Sequence, residues 1–292
     1  MNIKNKPLIL IVISAVMIIY FTIAVFLPNN KIHEENTSLK NLVELSIKIS
    51  SYVHETQKER GLTAEFLSSN DNANFKTALK TQRKSTDEAI SKYAKFLNTF
   101  VTNEIYIQDQ IPIIQNFLNR LNDMRSKIDD KGISVADAIS FYAAMNNESL
   151  TLIASFPKFS SNSVVSNKLA SYTNFLLAKE DAEIERSLLF TVFTQGKFNK
   201  TDYRKFIELV KAQDTYMSSF MIIAPNKFKD IYMQKISSNI FQEVQIYRDI
   251  AFDKSYTGVF NINPKICFDV ISKKIDILKD IENSISFELL DN

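Results

Sequence analysis

Residues 52–69 read YVHETQKERGLTAEFLSS, and this stretch decides the fold class. Its apolar and small residues recur at steps of three and four, which is the spacing of one face of an α-helix. Only 4 Gly and 6 Pro occur in 292 residues, so few positions interrupt helices of this kind. Because 45% of the residues are hydrophobic, the chain can bury a sizeable core. The sequence therefore predicts an all-α protein.

Turn signals divide residues 29–292 into about eight helical segments. The predicted segments are 33–69, 73–101, 111–129, 134–156, 164–195, 201–223, 227–256 and 264–288. Ser134 with Asp137 resembles a capping box at a helix start. Gly61 lies inside a predicted helix, where glycine costs about 1 kcal/mol. It indicates either a close approach of the backbone to a neighbour or a tolerated substitution.

The helical segments also repeat. ERGL at 59–62 matches ERSL at 185–188, and the pattern Phe-x4-Lys-x-Gln at 75–82 recurs at 206–213. Arg125 and Arg248 then occupy similar places in the third helix of each half. The repeat predicts two four-helix bundles, 29–160 and 161–292.

The N-terminus carries the apolar run PLILIVISAVMIIYFTIAVFL at 7–27, which as a helix spans about 30 Å. A cleaved signal peptide is the alternative, but its apolar region is usually shorter. Lys4 and Lys6 precede the run, so we expect 1–6 in the cytoplasm and 7–28 as a single-pass anchor in the inner membrane. Residues 29–292 would then be periplasmic. A cytoplasmic output module would belong to another chain or to an absent segment.

Composition argues against several functions. After Lys4 and Lys6 the chain carries 33 basic and 33 acidic residues, a balance that argues against a nucleic-acid partner. One Cys and two His (His33 and His54) argue against a metal site, and we expect no cofactor. No Gly-rich phosphate loop or nucleophile motif is found. We therefore expect no catalytic residues and a protein that is not an enzyme.

Four arginines each lie on the apolar face of their own predicted helix: Arg60, Arg125, Arg186 and Arg248. A buried guanidinium is costly unless it meets an anion, and its planar fork of donors fits small oxyanions. An anion pocket is one interpretation. The other is a set of structural ion pairs, since Glu183 shares the stripe of Arg186.

Segments that contain two of these arginines also resemble a known protein family. Residues 52–69, FKTALKTQRKSTDEAI at 75–90 and AKE-x4-ER at 178–186 are similar to the nitrate- and nitrite-sensing (NIT) domain, a bacterial sensor found in chemoreceptors and sensor kinases. The likeness covers nearly all of 40–285. It implies two four-helix bundles that bind nitrate or nitrite through arginines of both halves. By motif or spacing, the implied ligands are Arg60, Arg186 and Arg248, with Arg125, Arg83 and Gly61 as secondary candidates. The sequence departs from the family pattern at Glu65, where a small residue is common, and at Cys267, where Trp is common.

We therefore expect a tethered sensor that transmits a conformational signal when a small inorganic anion binds, as in chemotaxis or two-component signalling. Repulsion between neighbouring guanidiniums would strain the empty site, and the anion would relieve it. Tethered helical sensors commonly work as dimers, so a homodimer is expected. The alternative is a tethered helical interaction protein or a sensor of another small ligand, such as an organic acid.

Overall fold

The protein is described by a computed structural model that covers residues 6–68 and 72–290, without the side chains of 6–13, 19, 22–36, 72 and 73. Every regular element in these ranges is helical, which confirms the predicted all-α class. The elements are α1 (Lys6–Ser68), α2 (Asn72–Leu97), α3 (Ile105–Asp129), α4 (Val135–Ser155), a 3-10 turn (Phe156–Phe159), α5 (Ser163–Gln195), α6 (Lys200–Ile223), α7 (Asn226–Ile236), α8 (Asn239–Asp253) and α9 (Pro264–Leu290).

Most predicted helix boundaries agree with these elements, and four differ. Helix α2 ends at Leu97, four residues before its predicted end at 101. Helix α1 begins at Lys6, and α3 begins at Ile105 and contains Pro112 rather than starting beside it. The predicted segment 227–256 is two helices, because the Ser238 side chain caps α8 by accepting from the Ile240 N–H (3.3 Å). The predicted cap at Ser134 is confirmed, since its Oγ accepts from the Asp137 N–H at 3.0 Å.

The chain divides into two compact units, Met1–Leu42 and Val43–Asn292. The first unit holds the apolar run, and most side chains of the predicted span 7–28 lie outside the described residues. Among the helices that are described, none is both long and apolar enough to cross a bilayer. The expected single-pass location, with 29–292 in the periplasm, is corrected on this finding. The expectation relied on the length and hydropathy of the run alone, and these report the apolar character of a helix, not where it is located.

The second unit is organised around α5, a helix of 33 residues that is buried along much of its length. It contacts α4, α6 and α9, while α9 also contacts α7 and α8. Hydrogen bonds from α1 reach α4 and α5, as in Tyr52 to Ser149 (2.6 Å) and Ser50 with Tyr172 (2.9 Å). Apolar side chains from α1 to α4 form one core cluster that includes Phe66, Leu121, Ile128 and Met145. The arginine-bearing segments of α1 and α5 therefore lie side by side; the division into bundles at 29–160 and 161–292 stays a prediction.

Candidate functional site

Arg60 of α1 is fully buried and points toward α5. Its Nη1 donates to Glu180 Oε1 at 2.5 Å, and its Nη2 donates to Glu180 Oε2 at 3.3 Å. Gln57 Nε2 donates to the same carboxylate at 2.5 Å. The contact joins residues 120 apart in sequence, so it ties the first half of the chain to the second.

Arg186 of α5 lies across the backbone of α1. Its Nη2 donates to Glu183 Oε2 at 2.6 Å, its Nη1 donates to Ser272 Oγ at 3.0 Å, and its guanidinium carbon is 4.6 Å from the Phe268 ring centroid. A Cβ on Gly61 would lie only 2.6 Å from Nη2 of this arginine. The α1 backbone at Gly61 thus closely approaches a neighbouring side chain, as one of the two sequence interpretations expected. The lack of a Cβ leaves room for the Arg186 guanidinium.

Several buried atoms at this α1–α5 contact lack a hydrogen-bond partner among the described residues. They are Nε of Arg60, Nε of Arg186, Oε1 of Glu183, Oε1 of Gln57 and Nδ1 of His54. Buried polar groups are normally satisfied, so a cluster of such atoms is typical of a site that accepts a polar ligand or water. Two of the atoms are guanidinium donors, which suit an oxyanion.

Burial is the largest influence on the pKa values of Glu183 and His54 at this contact. It raises the pKa of Glu183, against the opposing effects of Arg186, Arg60 and Lys179. It lowers the pKa of His54 well below 6.5, with further lowering by Lys179, Lys279, Lys58 and Arg186, so the imidazole is neutral at pH 7. Lys179 itself is bonded to Glu282 of α9, which also accepts from Lys279 at 2.5 Å.

Glu65 lies one and a half turns beyond Arg60 on α1 and is 1% exposed. Burial raises its pKa from 4.5 to about 7, although Lys265 and Arg186 lower it. Its Oε1 is 3.8 Å from Lys265 Nζ and makes no hydrogen bond to any described group. The carboxyl that departs from the family pattern therefore acts electrostatically on Arg186.

Arg125 belongs to a different cluster, inside α1–α4. Its Nε and Nη2 donate to Glu59 at 2.7 and 2.8 Å, and its Nη1 donates to Asp87 at 2.7 Å. Tyr142 donates to Glu59 at 2.8 Å. Arg83 donates to Asp129 at 2.7 Å and lies 3.7 Å from Glu59. Both arginines already have acidic partners.

Arg248 forms the corresponding ion pair in the second half. Its Nε and Nη2 each donate to a separate oxygen of Glu185 at 2.6 Å, and Nη2 also donates to Gln213 Oε1 at 2.7 Å. The two pairs, Glu59 with Arg125 and Glu185 with Arg248, occupy matching places in the repeat. Burial opposes both charges, but the carboxylate of Glu185 still raises the pKa of Arg248, and Arg248 still holds the pKa of Glu185 below its usual value.

The structure therefore brings Arg60 and Arg186 to one helix contact and gives Arg125, Arg83 and Arg248 partners elsewhere. Of the two interpretations of the inward-facing arginines, the ion pairs are present, because all five donate to an acidic side chain. Sequence reasoning missed Gln57 and His54. It considered Glu180 as a nearby carboxylate but did not pair it with Arg60.

No group of acidic, His or Cys side chains in the described ranges could hold a metal ion. The expected absence of metal, cofactor and catalytic residues stays a prediction. Cys267 is buried, and burial raises the pKa of its thiol.

Comparison with known proteins agrees with the fold. The family model for nitrate and nitrite sensing matches residues 51–290. None of the curated proteins matches the sequence significantly. The solved structure of the NasR transcription antiterminator is similar, with a TM-score of 0.81 and 17% identity, covering 92% of this chain and 73% of that one.

At this identity the likeness shows the fold alone. NasR is named for transcription, so the likeness gives no support to the periplasmic location corrected above. Our expectation that this chain has no nucleic-acid partner stays a prediction. The family match, in contrast, spans most of the chain and includes both repeated motifs. On that match, the chain belongs to the nitrate- and nitrite-sensing (NIT) family.

Proposed function

We propose that this protein is a sensor that binds nitrate or nitrite between α1 and α5, through Arg60 and Arg186, and passes on a conformational signal. One observation carries the proposal. These two arginines come from matching positions of the repeat, lie buried at one helix contact, and each keep an Nε donor without a hydrogen-bond partner among the described residues. The family match supports the choice of anion.

The anion would not enter an empty cationic site, because Glu180 and Glu183 already accept from the two guanidiniums. Glu180 receives both Nη groups of Arg60 and an amide of Gln57, so it is firmly held. Glu183 receives one bond from Arg186 and keeps Oε1 unpartnered within the described structure. Its raised pKa reflects poor stabilisation of its charge. We expect the Arg186–Glu183 contact to yield to the anion.

Replacement of Glu183 by the anion at Arg186 would couple anion binding to a conformational change. A ligand shifts a two-state equilibrium only through its different affinity for the two states. Here one state has Arg186 paired with Glu183 of its own helix, and the other has Arg186 and Arg60 sharing an anion. Because the second arrangement draws on both helices, it favours a changed packing of α5 against α1.

Arg248, Arg125 and Arg83 are left out of this proposed site. Each is committed to Glu185, Glu59 or Asp129 by charge-assisted hydrogen bonds, which are the strong ones. Their replacement is expected to lower stability rather than anion selectivity. A homodimer and an output module on another chain stay predictions, as does the expectation that the protein is not an enzyme.

The test is thermal melting of the full chain with nitrate, nitrite, chloride and sulfate. An anion at 100 times its dissociation constant stabilises by about 2.7 kcal/mol. We expect this for nitrate or nitrite, with loss in Arg60→Gln and Arg186→Gln and retention in the matched control Arg120→Gln, an exposed arginine. An equal response to all four anions, or retention in both site variants, would contradict the proposal.

A further inference from the structure

The second half of the chain contains a cavity separate in its lining from the α1–α5 contact. Its volume is about 170 Å³, and it lies among α5, α6, α7, α8 and α9. Met217, Phe241 and Leu278 supply apolar wall, and Arg248, Lys274 and Gln213 supply polar wall. Neither Arg60 nor Arg186 lines it. The cavity therefore belongs to a site that the proposed nitrate-binding residues do not use.

Lys274 is the unusual group in this wall. Its side chain is 8% exposed, and its one hydrogen bond is from Nζ to the neutral amide oxygen of Gln213 at 3.2 Å. Within the described structure no carboxylate lies at salt-bridge distance from it. A buried ammonium without an anionic partner is costly. Burial and the neighbouring Arg248 lower the pKa of Lys274 to about 8.

Arg248 also presents free donors to this region. Its Nε and Nη2 are bonded to Glu185 and Gln213, while Nη1 has no acceptor among the residues that the structure covers. In the first half, Nη1 of the equivalent Arg125 donates to Asp87, five residues after Gln82. Five residues after Gln213 the sequence has Ser218. The position of the Asp87 carboxylate in the first half is thus occupied by a serine in the second, and no described carboxylate accepts from Arg248 Nη1.

We propose that this cavity binds a small aliphatic monocarboxylate, with its carboxylate between Lys274 Nζ and Arg248 Nη1 and its alkyl chain on Met217, Phe241 and Leu278. A cavity of about 150 Å³ accommodates benzene, so this one suits a ligand of about four to six non-hydrogen atoms. Propionate and butyrate have that size.

The surroundings favour one negative charge. Glu185 is paired with Arg248, whereas Lys274 has no carboxylate at salt-bridge distance among the described residues and feels the charges of Glu185 and Asp214 only from further away. Asp214 lines the cavity from an exposed position and repels a second carboxylate. Nitrate, with no apolar part, leaves the apolar wall uncovered. Succinate and nitrate are therefore the natural negative comparisons.

The experiment is isothermal titration of the full chain with propionate, butyrate, succinate and nitrate. We expect saturable binding of butyrate, at least tenfold weaker binding of succinate, and at least tenfold loss of butyrate affinity in Lys274→Met. The neighbouring exposed lysine gives the control, Lys273→Met, which keeps wild-type affinity. Met217→Trp fills the cavity without changing charge and also removes butyrate binding.

Two results for the monocarboxylates would overturn the proposal. One is the absence of monocarboxylate binding to the wild type; the other is butyrate binding that survives in Lys274→Met or, if that variant does not fold, in Met217→Trp. Nitrate binding that depends on Lys274 would also overturn it, since the cavity would then be an inorganic-anion site. Arg60→Gln separates this proposal from the nitrate proposal, because it is expected to lose nitrate and to keep butyrate.

Discussion

Replacing Gly61 with alanine tests how tightly the two arginine-bearing helices fit. The added Cβ would lie 2.6 Å from Arg186 Nη2 and 3.2 Å from its guanidinium carbon, so the guanidinium must move. That movement breaks the bond to Glu183, and hydrogen bonds to charged groups contribute about 1.5–3 kcal/mol. Alanine gains about 1 kcal/mol as a better helix former. The expected net effect is a loss of about 0.5–2 kcal/mol.

The effect of Gly61→Ala on stability should change sign when Arg186 is absent. In an Arg186→Ala background the nearest remaining neighbour of the new Cβ is Phe268 Cζ at 3.4 Å, an ordinary contact distance. Gly61→Ala should then stabilise by up to about 1 kcal/mol, since only the helix term remains. Urea unfolding followed by circular dichroism at the helical minimum measures all four members of this cycle. Gly61→Ala that stabilises the wild type, or that has the same effect in both backgrounds, would refute the assigned close approach.

Two titratable groups give pH-dependent predictions. The pKa of Glu65 is raised to about 7, so the folded state holds a proton that the unfolded state releases, and stability falls as pH rises from about 4.5 to 7. Glu65→Gln should therefore be more stable than the wild type at pH 8, by at most about 3 kcal/mol, and should differ little from it at pH 4. The same variant should bind nitrate more tightly at pH 8, because Arg186 loses a competing carboxylate. A calorimetric melting series from pH 4 to 8 checks this, and equal pH profiles would contradict it. The pKa of Lys274 is lowered to about 8, so stability rises with pH between about 8 and 10.5, and Lys274→Met should be more stable than the wild type at pH 7 by up to about 3 kcal/mol. Urea midpoints at pH 7 and 10 measure this difference, which should shrink at the higher pH; a constant or growing difference would contradict it.

Helical periodicity predicted the all-α class and several boundaries to within about two residues, including those of α5, α6 and α9. These predictions depend on local spacing, and local spacing is visible in sequence. The break between α7 and α8 was missed because it involves neither Gly nor Pro, only a serine cap. Serine is a preferred cap but is also common inside the helices of this chain, so the sequence does not single out Ser238.

The partners of the arginines were beyond reach for a different reason. Periodicity places Arg60 on the apolar face of its helix, but the residue it meets, Glu180, lies 120 positions away on another helix. Which helix packs on that face depends on the tertiary arrangement. Only Glu183 with Arg186, three residues apart on α5, could be proposed from spacing. The sequence thus identified arginines that face the interior and did not identify the acidic residues that neutralise most of them.

The repeat itself provides the sharpest test of the cavity. In the first half, Asp87 gives Arg125 Nη1 a carboxylate, and its side chain is 60% exposed, so the bond is made at the edge of the bundle. Ser218→Asp places a carboxylate at the matching position of α6. If the halves correspond, Asp at this position accepts from Arg248 Nη1 and removes a donor from the cavity, so butyrate affinity should fall at least tenfold. Stability should rise by less than about 1 kcal/mol, as for other exposed pairs.

The matched control is Ser219→Asp, which adds the same charge one residue further along α6, about 100° around the helix. It should leave butyrate affinity within about twofold of the wild type, since general repulsion at a partly exposed position is weak. Isothermal titration of both variants separates the two effects. Equal losses in Ser218→Asp and Ser219→Asp would mean that charge alone opposes the ligand. Unchanged affinity in Ser218→Asp, with loss in Lys274→Met, would mean that Arg248 Nη1 is not a ligand and that the ammonium acts alone.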